Sequence, residues 1–411
     1  MRTLSDGLTE RGFPGAGAPA LLEPAPMLPM KMISATVALS AASLSAQELP
    51  KSGAILASMR VANTHFMEEW PDVGKTIITN RERPSNIWTR AVYYEGLMAF
   101  QAIAPDPRNY DYAVRWAEFH KWGMRSGDLT RNADDQCCLQ TYLDLYKIDP
   151  KPERILALTA NMDAMVASDK IDDWSWVDAM QMAMPAMAKF GAFKHDAKYF
   201  EKAHAIYTYM RTKHGGSGLY NSTEHLWWRD KDFVPPYKEP NGKNCYWSRG
   251  NGWVFAGLVR VLEELPTDAA HRAEYEQTVK EMSAALAACQ RDDGFWNASL
   301  HDPNHFGGKE TTGTALFTYG LAWGIRHQLL DEKTYLPIVA RAWHALATEA
   351  LHPDGFLGYV QGTGKQPSEG RPIDKSGTPQ PVGYDDKPDF TDFGLGCFLL
   401  AGSEVYRLPS R

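Results

Sequence analysis

Residues 245–266 read CYWSRGNGWVFAGLVRVLEELP, and the two halves of this stretch behave differently. In the second half Val254, Leu258, Val261, Leu262 and Leu265 recur at i, i+4, i+7, i+8 and i+11, one apolar face of a helix. The first half crowds Tyr246, Trp247 and Trp253 around one cation, Arg249, and a Gly-Asn-Gly segment that reads as a turn at the mouth of that helix. Flat rings, a guanidinium and bare backbone at a helix start suit contact with a ligand.

The same helical periodicity continues on both sides, nearly end to end from Ile55 to Tyr406. Two kinds of connection alternate. One is a short polar hinge, as in AIAPDPRNYDYA, YKIDPKPERIL, GAFKHDAKYFEKA, ELPTDAAHRAEYE and LLDEKTYLPIVA. These are helix-hairpin turns. The other is long and rich in Gly, Asp, Trp and Tyr. HGGSGLYN, DDGFWNAS and PDGFLGYV each place a Gly for a left-handed helix cap and then an aromatic. Strand signals are few and confined to these long connections. The count is about twelve helices in six pairs, at roughly 60 residues per pair. The expected fold is all-α: six hairpins closed into a toroid, with the long connections gathered at the N-termini of the inner helices. An open solenoid would need a terminal repeat with a polar outer face, and none is evident.

Composition agrees with a large globular domain. The 411 residues are 44% hydrophobic and 23% charged, with a formal net charge of -7. No basic block is present, so nucleic acid is not an expected partner. The five cysteines, Cys137, Cys138, Cys245, Cys289 and Cys397, show no C-x-x-C spacing and read as small buried hydrophobes. Residues 1–29 are rich in Gly, Pro and Ala and lack periodicity, so they read as an upstream or disordered extension. The segment MKMISATVALSAASLSAQELP from Met30 has the layout of a secretory signal ending near Ala46. Its apolar run is too short to span a bilayer permanently. The expectation is export, to a periplasm or beyond, of one catalytic domain over residues 50–411.

Polar and aromatic residues collect at the inner-helix starts. They are Trp88 and Arg90; Asp134 and Asp135 in RNADDQCC; Trp174, Trp176 and Asp178 in DDWSWVDAMQMAMP; Trp247, Arg249 and Trp253; Glu310 and Thr311 in FGGKETTGTALF; and Asp386 and Asp392. Ring closure would bring them to one cleft with aromatic walls, carboxylates and guanidiniums, which is the chemistry of a sugar-acid site. Asp178 either caps its helix or does chemistry, and capping leaves the flanking tryptophans unexplained. Asp134 reads as an N-cap, which frees Asp135 to point inward. Arg249, between two tryptophans and beside Gly250 and Gly252, reads as a ligand contact more than an ion-pair partner. His225, in NSTEHLWWRD, is a loop histidine with aromatic neighbours; such a residue is more often structural. No set of His, Asp and Cys has metal spacing, and no phosphate loop or G-x-S-x-G elbow occurs. No cofactor is expected.

WSRGNGW and WVDAMQMAMP, supported by GKETTGTALF, resemble the unsaturated glycuronyl hydrolases. The likeness is to the unsaturated rhamnogalacturonyl hydrolases of glycoside hydrolase family 105, related to family 88, and covers about residues 53–408. It implies an (α/α)6 barrel. It implies that Asp178, in the W-V-D motif, is the general acid/base and that a second Asp assists, Asp135 matching best and Asp134 remaining open. Trp247, Arg249, Trp253 and His225 match substrate-contacting positions. The implied partner is an acidic oligosaccharide left by a polysaccharide lyase, and the implied reaction is hydration of its 4,5-unsaturated terminal uronic acid. The rivals are an inverting glycosidase on saturated glycosides, which also uses two carboxylates, and a sugar-binding protein without catalysis. The sequence fixes neither the leaving sugar nor the oligomeric state.

Overall fold

A computed structural model describes residues 48–409. The extension expected over 1–29 and the signal segment over 30–46 lie outside the described residues. The outer helices are α1 (Ser52–Glu69), α3 (Pro107–Phe119), α6 (Leu156–Ala167), α9 (Lys198–Thr212), α11 (Arg272–Ala287) and α14 (Glu332–His344). The inner helices are α2 (Trp88–Ile103), α5 (Cys138–Ile148), α8 (Met184–Lys194), α10 (Ser248–Glu264), α13 (Thr311–Arg326) and α15 (Asp392–Arg407). One-turn helices α4 (Ala133–Gln136) and α7 (Ala179–Met182) lead into α5 and α8, and α12 (Pro303–Phe306) sits in a long connection. Each inner helix packs on the next, and α15 packs back on α2, closing the expected (α/α)6 toroid. Strand is confined to three two-stranded hairpins of two-residue strands among the described residues, all in long connections.

Burial separates the rings. On α3 the buried positions are Asn109, Tyr112, Ala113, Trp116 and Ala117, a single stripe. On α13 every residue from Thr311 to Ile325 is buried, as is every residue of α15 from Asp392 to Val405. A helix apolar on all sides has to sit inside the protein, and that pattern assigns the inner ring.

Two devices join the first inner helix to the last. Gly96 and Gly396 face each other so closely that a Cβ on Gly96 would lie 2.2 Å from the Gly396 carbonyl oxygen, and one on Gly396 2.3 Å from that of Val92. At the mouth, buried Arg90 pairs with buried Asp392 at 3.1 Å, and Thr89 Oγ1 donates to the same carboxylate at 3.2 Å. The Arg90 guanidinium also lies 4.4 Å from the Trp70 ring centroid. Arg90 and Asp392, expected to face the cleft, are therefore consumed by closing the ring.

A cavity of about 620 Å³ opens at the opposite end, lined by Glu95, Arg260, Tyr319 and Glu404 among others, and contains none of the expected site residues. Inward of it, Gln140 Nε2 and Gln181 Nε2 donate to Glu95 at 2.8 and 2.6 Å, and Arg260 Nη2 donates to Gln140 at 2.6 Å. These bonds satisfy a carboxylate whose pKa burial raises.

Replacing Gly96 by Ala forces a methyl group against backbone rather than against a yielding side chain. The expected cost is about 1–3 kcal/mol, as for other overpacked interiors, read as a fall in Tm by calorimetry. An unchanged Tm would show that α2 and α15 do not meet there.

Candidate active site

Asp178 stands at the start of α7 with helical backbone angles, φ -58° and ψ -30°, and its side chain caps nothing. The capping alternative therefore fails. Its carboxylate instead accepts a hydrogen bond from Arg229 Nε at 3.2 Å, and Arg229 Nη1 donates to Asp230 at 2.8 Å. Backbone contacts set this up: Val177 N–H donates to the Arg229 carbonyl at 2.9 Å, and Trp176 bridges to Asp230. Asp178 is buried to 8% exposure, so Arg229 is its immediate electrostatic environment.

The Asp134-Asp135 pair divides otherwise than expected. Asn132 is the N-cap of α4, accepting from the Asp134 N–H at 2.8 Å, so Asp134 is free of that duty. Asp135 is the enclosed member. Arg125 pairs with it at 2.6 Å and Thr130 Oγ1 donates to it at 3.2 Å. Half-buried Asp134 is the carboxyl that senses Asp178. Burial first, and the Asp178 charge next, push its pKa from 3.8 up to about 7; Arg125 and Arg229 oppose the rise and Asp135 adds to it. Asp135 is held in an ion pair with Arg125, and Asp134, the alternative left open by the resemblance, is the one whose carboxyl feels the Asp178 charge.

The side chains of the opening motif are buried and bonded to neighbouring loops. Helix α10 begins at Ser248, so Gly250-Asn251-Gly252 is its first turn rather than a turn before it. Trp247, Arg249 and Trp253 are 2%, 1% and 0% exposed. Trp247 Nε1 donates to Gln361 Oε1 at 2.9 Å. The Arg249 guanidinium stacks 4.5 Å from the Trp247 ring centroid and donates to the Gln361 carbonyl and, at 2.8 Å, to that of Gly362. Asn251 accepts from the Trp227 N–H at 2.8 Å and donates to the Trp227 carbonyl at 3.1 Å. Trp253 meets half-buried Trp88 edge-on at 6.1 Å between ring centroids. The stretch thus ties down the loops after β4 (Leu226–Trp227) and around residue 361. Its Trp and Arg side chains are buried against those loops, while Arg249 Nε and Trp253 Nε1 have no hydrogen-bond partner.

His225 lies beside an outer helix. It sits at φ +56° in the turn between β3 (Tyr220–Asn221) and β4. Its Nδ1 lies 3.2 Å from the Tyr220 hydroxyl and 3.5 Å from Glu281 on α11, an outer helix. Four residues on, Arg229 reaches Asp178 instead. Sequence reasoning missed Arg229 and Arg125, although WWRD put a cation and an acid directly after two tryptophans. Glu310 accepts from Thr312 N–H at 3.1 Å as the cap of α13. All five cysteines are free, four of them buried. Among the described residues no group of three His, Cys, Asp or Glu could hold a metal, and no helix is long and apolar enough to cross a membrane.

The closed six-hairpin ring gathers two carboxyl groups and a guanidinium at one mouth, an arrangement suited to acid/base chemistry on a sugar. The sequence matches the description Glycosyl Hydrolase Family 88 over residues 58–409, and the chain belongs to that family. It is 33% identical over 341 residues to an unsaturated 3S-rhamnoglycuronyl hydrolase of Formosa agariphila, covering 78% of this chain and 84% of that one. A solved family 88 glycosyl hydrolase from Bacteroides vulgatus superposes with a TM-score of 0.76 at 33% identity, over 87% of this chain and 99% of the other. A family 105 hydrolase from C. acetobutylicum shares the fold with a TM-score of 0.66 at 18% identity, over 85% and 99%. The family 88 match carries the broader part of the expected resemblance.

Asp134 should titrate near pH 7. The native fold favours its neutral form, so its contribution to stability is full below about pH 4 and declines as pH rises through 7. Carboxyl-detected NMR should show one Asp with a midpoint near neutrality, absent in Asp134→Asn, and the variant should lose that part of the pH dependence of Tm. If every aspartate titrates near 4, the pairing of Asp134 with Asp178 is wrong.

Proposed function

We propose that the protein removes 4,5-unsaturated uronic acid from the non-reducing end of lyase-generated oligosaccharides, by adding water across the C4=C5 double bond. The observation that carries this reading is a pair of unlike carboxyl groups at one mouth. Asp134 holds a proton near neutral pH, while Asp178 is held by a cation. The Asp134 proton is the one available to the reaction. The likeness to an unsaturated rhamnoglycuronyl hydrolase supports the uronyl substrate and favours rhamnose as the sugar that leaves.

The chemistry follows from the enol ether. Protonation at C4 places positive charge on C5 and the ring oxygen, and water then adds at C5. Asp178 is the proton donor to C4 and then the base that takes a proton from the water. The bound uronate carboxylate competes for Arg229. With its cation drawn away, Asp178 is the place to which the pair's proton moves from Asp134. The hemiketal formed at C5 opens, the linkage at C1 breaks, and the uronic acid departs as a linear keto acid. Trp247, Arg249 and Asn251 keep the mouth loops in place during this sequence.

Asp178→Asn should lower kcat on a lyase-generated glucuronyl-rhamnose disaccharide by about 10²–10⁴-fold, followed as loss of ultraviolet absorbance of the conjugated enol ether, with binding retained. Asp134→Asn should also depress kcat and should remove the limb of the pH profile near 7. Asp135→Asn should act mainly on stability, because Arg125 loses its buried partner. Full turnover by Asp178→Asn, or a larger kcat loss in Asp135→Asn than in Asp134→Asn, would overturn these roles.

A further inference from the structure

Glu95 of α2 is buried to 2% exposure, and the chemistry at the mouth does not use it. Its two oxygens gather donors from other inner elements. Oε1 accepts from Cys137 Sγ at 3.1 Å and from Gln140 Nε2 at 2.8 Å, and Oε2 accepts from Gln181 Nε2 at 2.6 Å. Arg260 Nη2 of α10 stands 3.7 Å from Oε2. Each of these four side chains offers a donor, so both oxygens work as acceptors, as those of a carboxylate do. Burial raises the Glu95 pKa, and Arg260, Cys137, Lys189 and Gln181 oppose the rise.

Two of those donors stand one helical turn beyond the reacting carboxyl groups. Cys137 comes three residues after Asp134 and continues α4 with helical angles, φ -55° and ψ -42°. Gln181 comes three residues after Asp178, and its N–H donates to the Asp178 carbonyl at 3.0 Å. Residues i and i+3 share a helix face. Helices α4 and α7 have four residues each, too few for helical hydrogen bonding alone to fix them. Gln140 adds a second grip on α7, because its Nε2 also donates to the Gln181 carbonyl at 2.9 Å. Gln140 Oε1 in turn accepts from Arg260 Nε and Nη2 at 3.2 and 2.6 Å. Gln181 Oε1 is buried without a hydrogen-bond partner, so the bond to Glu95 orients that side chain. One carboxylate thus ties the turn that carries Asp134 to the turn that carries Asp178.

We propose that Glu95 is a positioning residue for the reaction: through Cys137 and Gln181 it sets the separation and facing of Asp134 and Asp178. Two carboxyl groups that share the work of moving a proton lose rate steeply when either is displaced. Buried polar networks of this kind hold a single arrangement when their members are satisfied. The inference rests on the reading of Asp134 and Asp178 as the reacting pair.

Glu95→Gln keeps the shape of the side chain and turns one acceptor into an amide NH2 that faces a donor. Its kcat on the lyase-generated glucuronyl-rhamnose disaccharide should fall about 10–10²-fold with KM little changed. The carboxyl-detected midpoint of Asp134 should move down from near 7 by about one pH unit, because separation admits water and weakens the Asp178 charge. The other charges acting on Asp134 are Arg125, Asp135 and Arg229, and they keep their own pairing, Arg125 with Asp135 and Arg229 with Asp230. Cys137→Ala should move both readouts in the same direction from the Asp134 side, and Cys137→Ser, which restores a donor, should recover them. If Glu95→Gln does not fold, the Cys137 pair and Gln181→Met decide by the same two readouts. A lower Tm in Glu95→Gln with kcat and the Asp134 midpoint unchanged would make Glu95 merely structural and overturn the proposal. Equal losses in Cys137→Ala and Cys137→Ser would overturn it, as would a wild-type Asp134 that titrates in the ordinary aspartate range. The midpoint is read without substrate. If the wild-type protein leaves the disaccharide intact while Glu95→Gln still shifts the midpoint, the uronyl hydrolase reading fails and the positioning of the pair by Glu95 stands.

Discussion

Everything at the mouth depends on α2 and α15 meeting backbone to backbone. Two glycines let them do so, and Arg90 with Asp392 seals the join at the catalytic end. A buried ion pair of this kind adds little net stability against a hydrophobic substitute, but breaking it by removing one partner is expensive. What it contributes is position. The first and last inner helices are 300 residues apart in the chain, and only their contact turns a row of hairpins into a ring with a common mouth.

On that ring the site is built by loops, and the loops are pinned from below. Asn251 holds the backbone of Trp227, and two residues later the chain presents Arg229 to Asp178. Arg249 and Trp247 hold residues 361 and 362 in the same way. Buried polar side chains that bond to loop backbone give those loops a single conformation. The aromatic and cationic richness of CYWSRGNGW thus serves to hold these loops.

This division explains what was legible in the sequence. The fold was, because six repeats of helical periodicity separated by two kinds of connection leave few alternatives, and the all-round burial of α13 and α15 agrees with an inner ring. That Asp178 is not a plain cap was legible as well, since tryptophans flanked it where a cap would not need them. The choice between Asp134 and Asp135 was not. It turns on whether Asn132 caps α4 and on where Arg125, from the preceding loop, finds a partner, and neither is encoded in the spacing of the pair. Arg229 was missed for a similar reason. Adjacent residues of an irregular loop point in different directions, and only the bridge between Trp176 and Asp230 decides which one faces the acid.

The central claim is that a proton goes to C4 of an unsaturated ring and water to C5, rather than a proton to the glycosidic oxygen. Hydrolysis of the unsaturated disaccharide in heavy water, with the released acid read by NMR, tests this directly. The account predicts one deuteron on C4 of the keto acid and, in ¹⁸O-water, label on the C5 carbonyl oxygen. A product with no deuterium at C4 and with the label at C1 would contradict it, since that is the outcome of ordinary glycosidic cleavage.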